Sequence, residues 1–219
     1  MARLPESRPL LYYITDRHAL LARTNEGGPP TDLLTVIEQA IAAAVDLIQI
    51  RERDLPTRQL LFLVEAAVTR AHGTPSRLLV NDRLDVALAA GAAGVHLPAH
   101  GFPVAELRGR YPDLLLGVSC HNHDELRKAE HGGADFAVFG PVFETPSKKA
   151  YGPPLGLEKL AEATRAVAIP VLALGGITLA NAADCLRAGA AGLAAISLFQ
   201  NASNLAETVS RLRALREVS

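Results

Sequence analysis

Gln49, Arg51 and Arg53 alternate along the run Gln-Ile-Arg-Glu-Arg. In an extended strand such residues share one side, because side chains repeat every two positions. Two guanidiniums on a covered face need anionic partners, since an unpaired buried charge is costly. Glu52 faces the other way, which leaves an acidic neighbour such as Asp82 or a phosphorylated ligand; the ligand is the expectation. Asp82 stands in Asn81-Asp82-Arg83-Leu84-Asp85. At the opening of a helix, Asn or Asp is an ordinary N-cap. At the end of a strand, the same carboxylate can hold Mg²⁺, which often takes one or two carboxylates together with substrate phosphates.

Further along, Gly175-Gly176-Ile177 and Ile196-Ser197 offer backbone N–H groups that phosphate oxygens can approach closely. A tight turn would call for the same glycines. Residues 141–156 form a long connection rich in Pro, Gly and Lys, and connections of that length are often functional. Thr145, Ser147 and Lys148 suit a lid over a phosphate, with a solvated loop as the plainer possibility. His121 lies two residues after Ser119 and would move protons near neutral pH, although a lone His at a loop edge is commonly structural. Cys120 beside it reads as packing.

Something must bring these groups together, and the chain alternates strand and helix patterns from end to end. The expected strands are Leu11–Thr15, Leu47–Arg51, Leu78–Asn81, Gly94–Leu97, Leu114–Ser119, Phe136–Gly140, Val171–Leu174 and Gly192–Ser197. All are short apolar runs, as strands covered on both faces should be. Amphipathic or Ala-rich stretches lie between them, including Asp32–Ala44, Arg58–Ala71, Asp82–Ala90 and Asn201–Arg216. Gly91, Gly132 and Gly189 stand where left-handed helix C-caps belong. Strict alternation predicts a parallel sheet, and eight units in about 200 residues predict closure into a (β/α)₈ TIM barrel. An open doubly wound sheet fits less well, because no G-x-G-x-x-G follows the first strand. The expected organisation is one α/β domain over residues 1–219, with residues 1–9 extended or disordered. Such a barrel keeps its chemistry at the C-terminal ends of its strands. Those ends carry Thr15-Asp16, Gln49 to Arg53, Asn81-Asp82, His96, Ser119 to His121, the 143–148 loop, Gly175-Gly176 and Ser197. The opposite ends carry mostly Gly, Pro and Ala.

Composition narrows the class further. The 219 residues are 49% hydrophobic and 21% charged, with a formal net charge of −1. No Lys/Arg stripe suggests nucleic acid. The start, Met-Ala-Arg-Leu-Pro-Glu-Ser, lacks the apolar core of a signal peptide, and charged residues or Gly interrupt every apolar run before a membrane span. Two cysteines, Cys120 and Cys185, fit a reducing cytoplasmic location without a required disulfide. A homo-oligomer is left open.

Five stretches together resemble the thiamin phosphate synthase/TenI family. They are Leu-Tyr-Tyr-Ile-Thr-Asp (11–16), Gln-Ile-Arg-Glu-Arg (49–53), and Asn-Asp-Arg-Leu-Asp-Val-Ala-Leu-Ala (81–89) with Gly-Val-His-Leu (94–97). The others are Phe-Gly-Pro-Val-Phe-Glu-Thr-Pro-Ser-Lys (139–148), and Leu-Gly-Gly-Ile-Thr (174–178) with Ala-Ile-Ser (195–197). The resemblance runs from the first strand to the eighth and again implies the (β/α)₈ barrel. It implies that Gln49, Arg51, Arg53, Asn81, Ser119 and Lys148 contact an aminopyrimidine methyl diphosphate, and that Asp82 binds Mg²⁺. Thr145, Ser147, Gly176, Ile196 and Ser197 would then hold a thiazole phosphate. The implied reaction joins the two small molecules as diphosphate leaves. Arg51 and Lys148 would serve catalysis, with Mg²⁺ and no organic cofactor.

Two departures open an alternative. Gly101 stands where the synthase pattern has a second metal-binding Asp, and Arg53 stands for a usual Lys. Arg53, Leu-Pro-x-x-x-Phe and Phe-Glu-Thr-x-x-Lys-Lys resemble the TenI branch. There His121 would shuttle a proton while a thiazole phosphate tautomer aromatises. Gln49, Asp82 and Ser147 favour the synthase branch, which is the leading expectation; a non-catalytic thiazole phosphate binder is the third.

Overall fold

In the computed structural model, residues 4–6, 9–25, 32–145 and 153–215 are described. Eight parallel strands close into a ring in chain order: β1 (Leu10–Ile14), β2 (Leu47–Ile50), β3 (Arg77–Asn81), β4 (Gly94–Leu97), β5 (Leu115–Cys120), β6 (Phe136–Phe139), β7 (Val171–Leu174) and β8 (Gly192–Ala195). The β1–β8 ladder, with Leu10 opposite Gly192 and Tyr12 opposite Ala194, completes the closure. The expected (β/α)₈ barrel is therefore what the chain forms. No helix among the described residues is long and apolar enough to cross a membrane.

Every strand is short because each has two buried faces to fill. Alternate residues separate into two apolar clusters. Leu11, Tyr13, Ile48, Val80, Val95, Leu116, Ala137, Ala173 and Leu193 point outward under the helices. Leu10, Tyr12, Leu47, Leu79, Leu115, Phe136, Leu172 and Ala194 fill the lumen, and Leu4 packs against them. The period of two is thus used on both sides of one sheet.

The helices α1 (Arg17–Asn25), α2 (Leu33–Ala42), α3 (Thr57–Ala71), α4 (Leu84–Ala89), α5 (Val104–Arg110), α6 (His123–His131), α7 (Gly156–Ala166), α8 (Ala182–Arg187), α9 (Ser197–Gln200) and α10 (Leu205–Ala214) lie outside. Local chemistry starts several of them. Asp32 accepts from the Thr35 N–H, Asn122 from Glu125 and Asn204 from Glu207, capping α2, α6 and α10. Val36, Ile37, Ala40 and Ile41 give α2 the apolar stripe that it buries.

Several boundaries differ from expectation. Thr15, Arg51 and Gly140 lie just beyond their strands. The carbonyl of Ile196 accepts from Phe199 and Gln200, so β8 ends at Ala195 and Ser197 opens the short helix α9. The stretch expected as a helix from Asn201 becomes helical again only at Leu205. Gly91 and Gly189 adopt positive φ as expected, but Gly132 does not. The Gly132 N–H still closes the last turn of α6 onto Lys128, so Gly133, at φ 84°, reverses the chain.

One buried carboxylate ties the bottom of the ring to the last helix. Asp46, just before β2, accepts from the Leu11 N–H at 2.7 Å and from the Arg213 guanidinium at 2.7 Å. Arg213 also donates to the carbonyls of Pro9 and Ala44. The pair joins α10 to the starts of β1 and β2, at the seam where the barrel closes. Removing one partner of a buried pair leaves the other desolvated and poorly compensated. Arg213→Ala should therefore cost about 2 kcal/mol, read from the urea midpoint at constant m-value. A loss below about 0.5 kcal/mol would show that Asp46 is satisfied without the arginine.

Candidate active site

At the top of the lumen, the inward residues change from apolar to polar. Gln49 on β2 donates through Nε2 to Asn81 Oδ1 on β3 at 3.1 Å. His96 on β4 lies between Tyr12 of β1 and Ser119 of β5, with Tyr12 OH 3.1 Å from Nδ1 and Ser119 Oγ 2.9 Å from Nε2. Tyr12 and Phe136 form the floor beneath this layer, their rings edge to face at 5.5 Å between centroids. Burial, and then the charge of Arg51, push the His96 pKa down to about 3, so the ring is neutral at ordinary pH.

Arg51 follows β2 and is half-buried; its N–H donates to Thr15 Oγ1 at 3.0 Å. Its positive charge opposes protonation of His96. Arg53 is different. The strand has ended at Ile50, so the period of two no longer governs it, and it lies exposed in the following turn. Glu52 turns away from the mouth as expected. Its buried carboxylate takes the Thr15 hydroxyl at 2.6 Å and the Arg17 N–H at 3.2 and 3.3 Å. Burial raises its pKa, partly offset by those donors. Asp16 caps α1 through Ala19, and Gln200 of α9 grips the Asp16 backbone from both sides. Thr15, Asp16, Glu52 and Gln200 are thus a structural clamp beneath the first loop.

Asp82 is exposed, with φ at 55°, a left-handed conformation that Asp tolerates better than most residues. Its N–H donates to the His96 carbonyl at 2.9 Å, continuing the β3–β4 ladder past the strand. It is not the expected N-cap. Arg83 holds that position without a side-chain cap, because α4 begins only at Leu84. Among the described residues, the Asp82 carboxylate has no hydrogen bond or ion pair. A strained backbone that presents an unpartnered carboxylate at a strand end suits a ligand role. As a hard oxygen donor it fits Mg²⁺ with water and phosphate completing the shell. No group of three or more metal-ligating side chains occurs among the described residues.

The loops expected to bind phosphate interlock. Gly175 and Gly176 have φ of 100° and 63°. A Cβ on Gly175 would lie 2.6 Å from Pro141 Cβ, and one on Gly176 would lie 2.5 Å from the Glu144 carbonyl oxygen. Val142 and Phe143 donate to the Leu174 and Gly175 carbonyls at 2.7 and 3.0 Å. Steric need alone therefore accounts for both glycines. The same packing lays the chain leading to Thr145 against Gly176. The Gly176 and Ser197 N–H groups donate to no described residue. A cavity of about 410 Å³ opens beside Ser197, lined also by Ile177, Thr178, Asn201, Asn204 and Arg211 among others. Ile196 packs against the lumenal cluster just before this cavity. Ser147 and Lys148 lie outside the described residues.

His121 is exposed after β5, and Glu125 of α6 holds it. One carboxylate oxygen accepts the His121 backbone N–H at 2.6 Å and faces Nδ1 at 3.2 Å. The other oxygen lies 3.8 Å from His100 Nε2. Burial, reinforced by Glu125, pushes the Cys120 thiol up to about 12, which suits packing and not nucleophilic chemistry. Gly101 sits in a turn closed onto Pro98, where a Cβ would meet the proline ring at 2.8 Å. His96 carries no expected role beyond its place at a strand end, although its lumenal parity in Gly-Val-His-Leu is a signal present in the sequence. Tyr12 gave no polar signal at all within an apolar strand.

These positions lie on a scaffold shared with known proteins. A family model described as thiamine monophosphate synthase (TMP-TENI) matches residues 11–199. The chain is 50% identical over 190 residues to a putative thiamine-phosphate synthase of Geobacter sulfurreducens, covering 85% of this chain and 84% of that protein. It is 40% identical over 211 residues to a thiamine-phosphate synthase of Chloroflexus aurantiacus, with 95% and 93% covered. Among solved structures, a thiamine phosphate pyrophosphorylase from Pyrococcus furiosus superposes with a TM-score of 0.80 at 31% identity, covering 95% and 96% of the two chains. With a matching model across the barrel and relatives this similar over most of their length, the chain belongs to the thiamine monophosphate synthase family.

Proposed function

We propose that this protein is a thiamin phosphate synthase, a transferase that joins an aminopyrimidine methyl diphosphate to a thiazole phosphate. The observation that carries the reading is the Asp82 carboxylate, which follows the Gln49–Asn81 pair at the lumen mouth and has no partner among the described residues. Gln49, Asn81 and Ser119 bind the pyrimidine over the apolar floor. Arg51 and Lys148, with Arg53 at the rim, hold the diphosphate and carry the charge that develops as it leaves. Thr145, Ser147, Gly176, Ile196 and Ser197 hold the thiazole phosphate and aim its ring nitrogen at the pyrimidine methylene. The C–O bond to diphosphate breaks, the methylene carbon becomes cationic, and the thiazole nitrogen lone pair forms the new C–N bond. Asp82 would hold Mg²⁺, which neutralises the leaving diphosphate when bound. Little proton transfer is required, in keeping with a neutral His96 and an unreactive Cys120. The free, buried Cys120 and Cys185 accord with a cytoplasmic enzyme of one barrel domain.

A second reading rests on its own observation. His121 is held by Glu125, and the Gly101 turn offers no second carboxylate. The protein would then tautomerise a thiazole phosphate, with His121 moving the proton.

Thiamin phosphate formation from the two substrates should require Mg²⁺, and Asp82→Asn should lower kcat/KM roughly 100-fold. Folded protein that binds the thiazole phosphate without forming product would move the assignment to the tautomerase. Lys148→Ala should cut the condensation rate roughly 100- to 1000-fold, and an unchanged rate removes Lys148 from the diphosphate site. His121→Ala should leave condensation within about threefold, whereas a tautomerase would lose its activity.

A further inference from the structure

The lumenal imidazole has a definite polarity. Tyr12 is 0% exposed, and its hydroxyl makes one described hydrogen bond, to His96 Nδ1. The Tyr12 proton therefore has a single acceptor available, and leaving it unmade would strand a buried donor. If the hydroxyl donates, Nδ1 is the lone-pair nitrogen, and neutral His96 must carry its proton on Nε2. Nε2–H then donates to Ser119 Oγ at 2.9 Å. The opposite tautomer would donate from Nδ1 to the Tyr12 oxygen and leave the phenolic proton with no acceptor. A flipped ring would put carbons at both contacts.

The ring cannot escape this arrangement. Gly117 stands beside it, where a Cβ would lie 2.7 Å from His96 Nδ1 and 2.4 Å from Phe136 Cζ. Tyr12 and Phe136 flank the ring, at centroid distances of 5.6 and 6.0 Å. The charged group that acts on it is Arg51, just after β2, which opposes a second positive charge in the lumen. Ser119, unlike His96, is partly exposed at the mouth.

We propose that Tyr12 and His96 are positioning residues that commit Ser119 to one hydrogen-bonding sense, accepting from His96 and donating its own proton to a ligand lone pair at the mouth. Ser119 has no other described partner, so its proton is directed to the ligand. The site would thus select an acceptor atom, such as a pyrimidine ring nitrogen, over a donor at that place. The ligand half of the inference rests on the synthase reading; the relay itself does not.

The test is ¹⁵N NMR of the full-length protein labelled at histidine, with His96 assigned by loss of its signals in His96→Asn. The expected ring is neutral with the proton on Nε2, unchanged across about pH 5 to 8. A proton on Nδ1, a mixture of tautomers, or titration in that range overturns the proposal. Tyr12→Phe removes only the hydroxyl. It should turn His96 into a tautomer mixture and raise KM for the pyrimidine diphosphate roughly tenfold, with kcat within about twofold. A changed tautomer with unchanged KM would overturn the committed role of Ser119. A parent protein that forms no product counts against the synthase reading, while the NMR result still decides the relay.

Discussion

A closed ring of eight strands has an interior that side chains must fill, and the way this one is filled governs the rest of the molecule. Leu10, Tyr12, Leu47, Leu115, Phe136 and Leu172 fill the lower and middle lumen. Higher still, the inward positions are Gln49, Asn81, His96 and Ser119, which pair among themselves. Buried polar groups without partners would cost more than the packing returns. Among the described residues, no buried side-chain nitrogen or oxygen lacks a partner. The polar layer is therefore rigid, and it sets the level at which a ligand must stop.

The loops around the mouth are held with similar economy. Glu52 and Gln200 fasten the first loop, and the β6–α7 and β7–α8 loops share hydrogen bonds and a glycine-lined contact. A methyl group on Gly175 or Gly176 would force these two loops apart. The contact between the two loops therefore accounts for that dipeptide on steric grounds. Asp82 stands apart from this network. Its exposed carboxylate has no partner among the described residues.

Periodicity and the αβ connectors made the barrel legible in the chain, because strands covered on both faces leave a continuous apolar signature. Gly94–Leu97 and Val171–Leu174 match their predicted bounds fully. Ends such as Arg51 and Ser197 did not, since a strand stops where tertiary contacts redirect its carbonyls, and no local propensity records that. For the same reason, Arg53 looked aligned with Gln49 and Arg51 and is not.

The amino-acid sequence by itself determined the number and order of the strands and the family, and it put the polar residues at one end of the barrel. Those properties depend on residue type and spacing, which a linear chain carries explicitly. Only the tertiary structure decided that Glu52 serves a clamp, that Asp82 has no partner among the described residues, and that Tyr12 and His96 support Ser119. Such roles depend on which of eight strands lie side by side once the ring closes, as Tyr12 and His96 do across 84 positions of sequence.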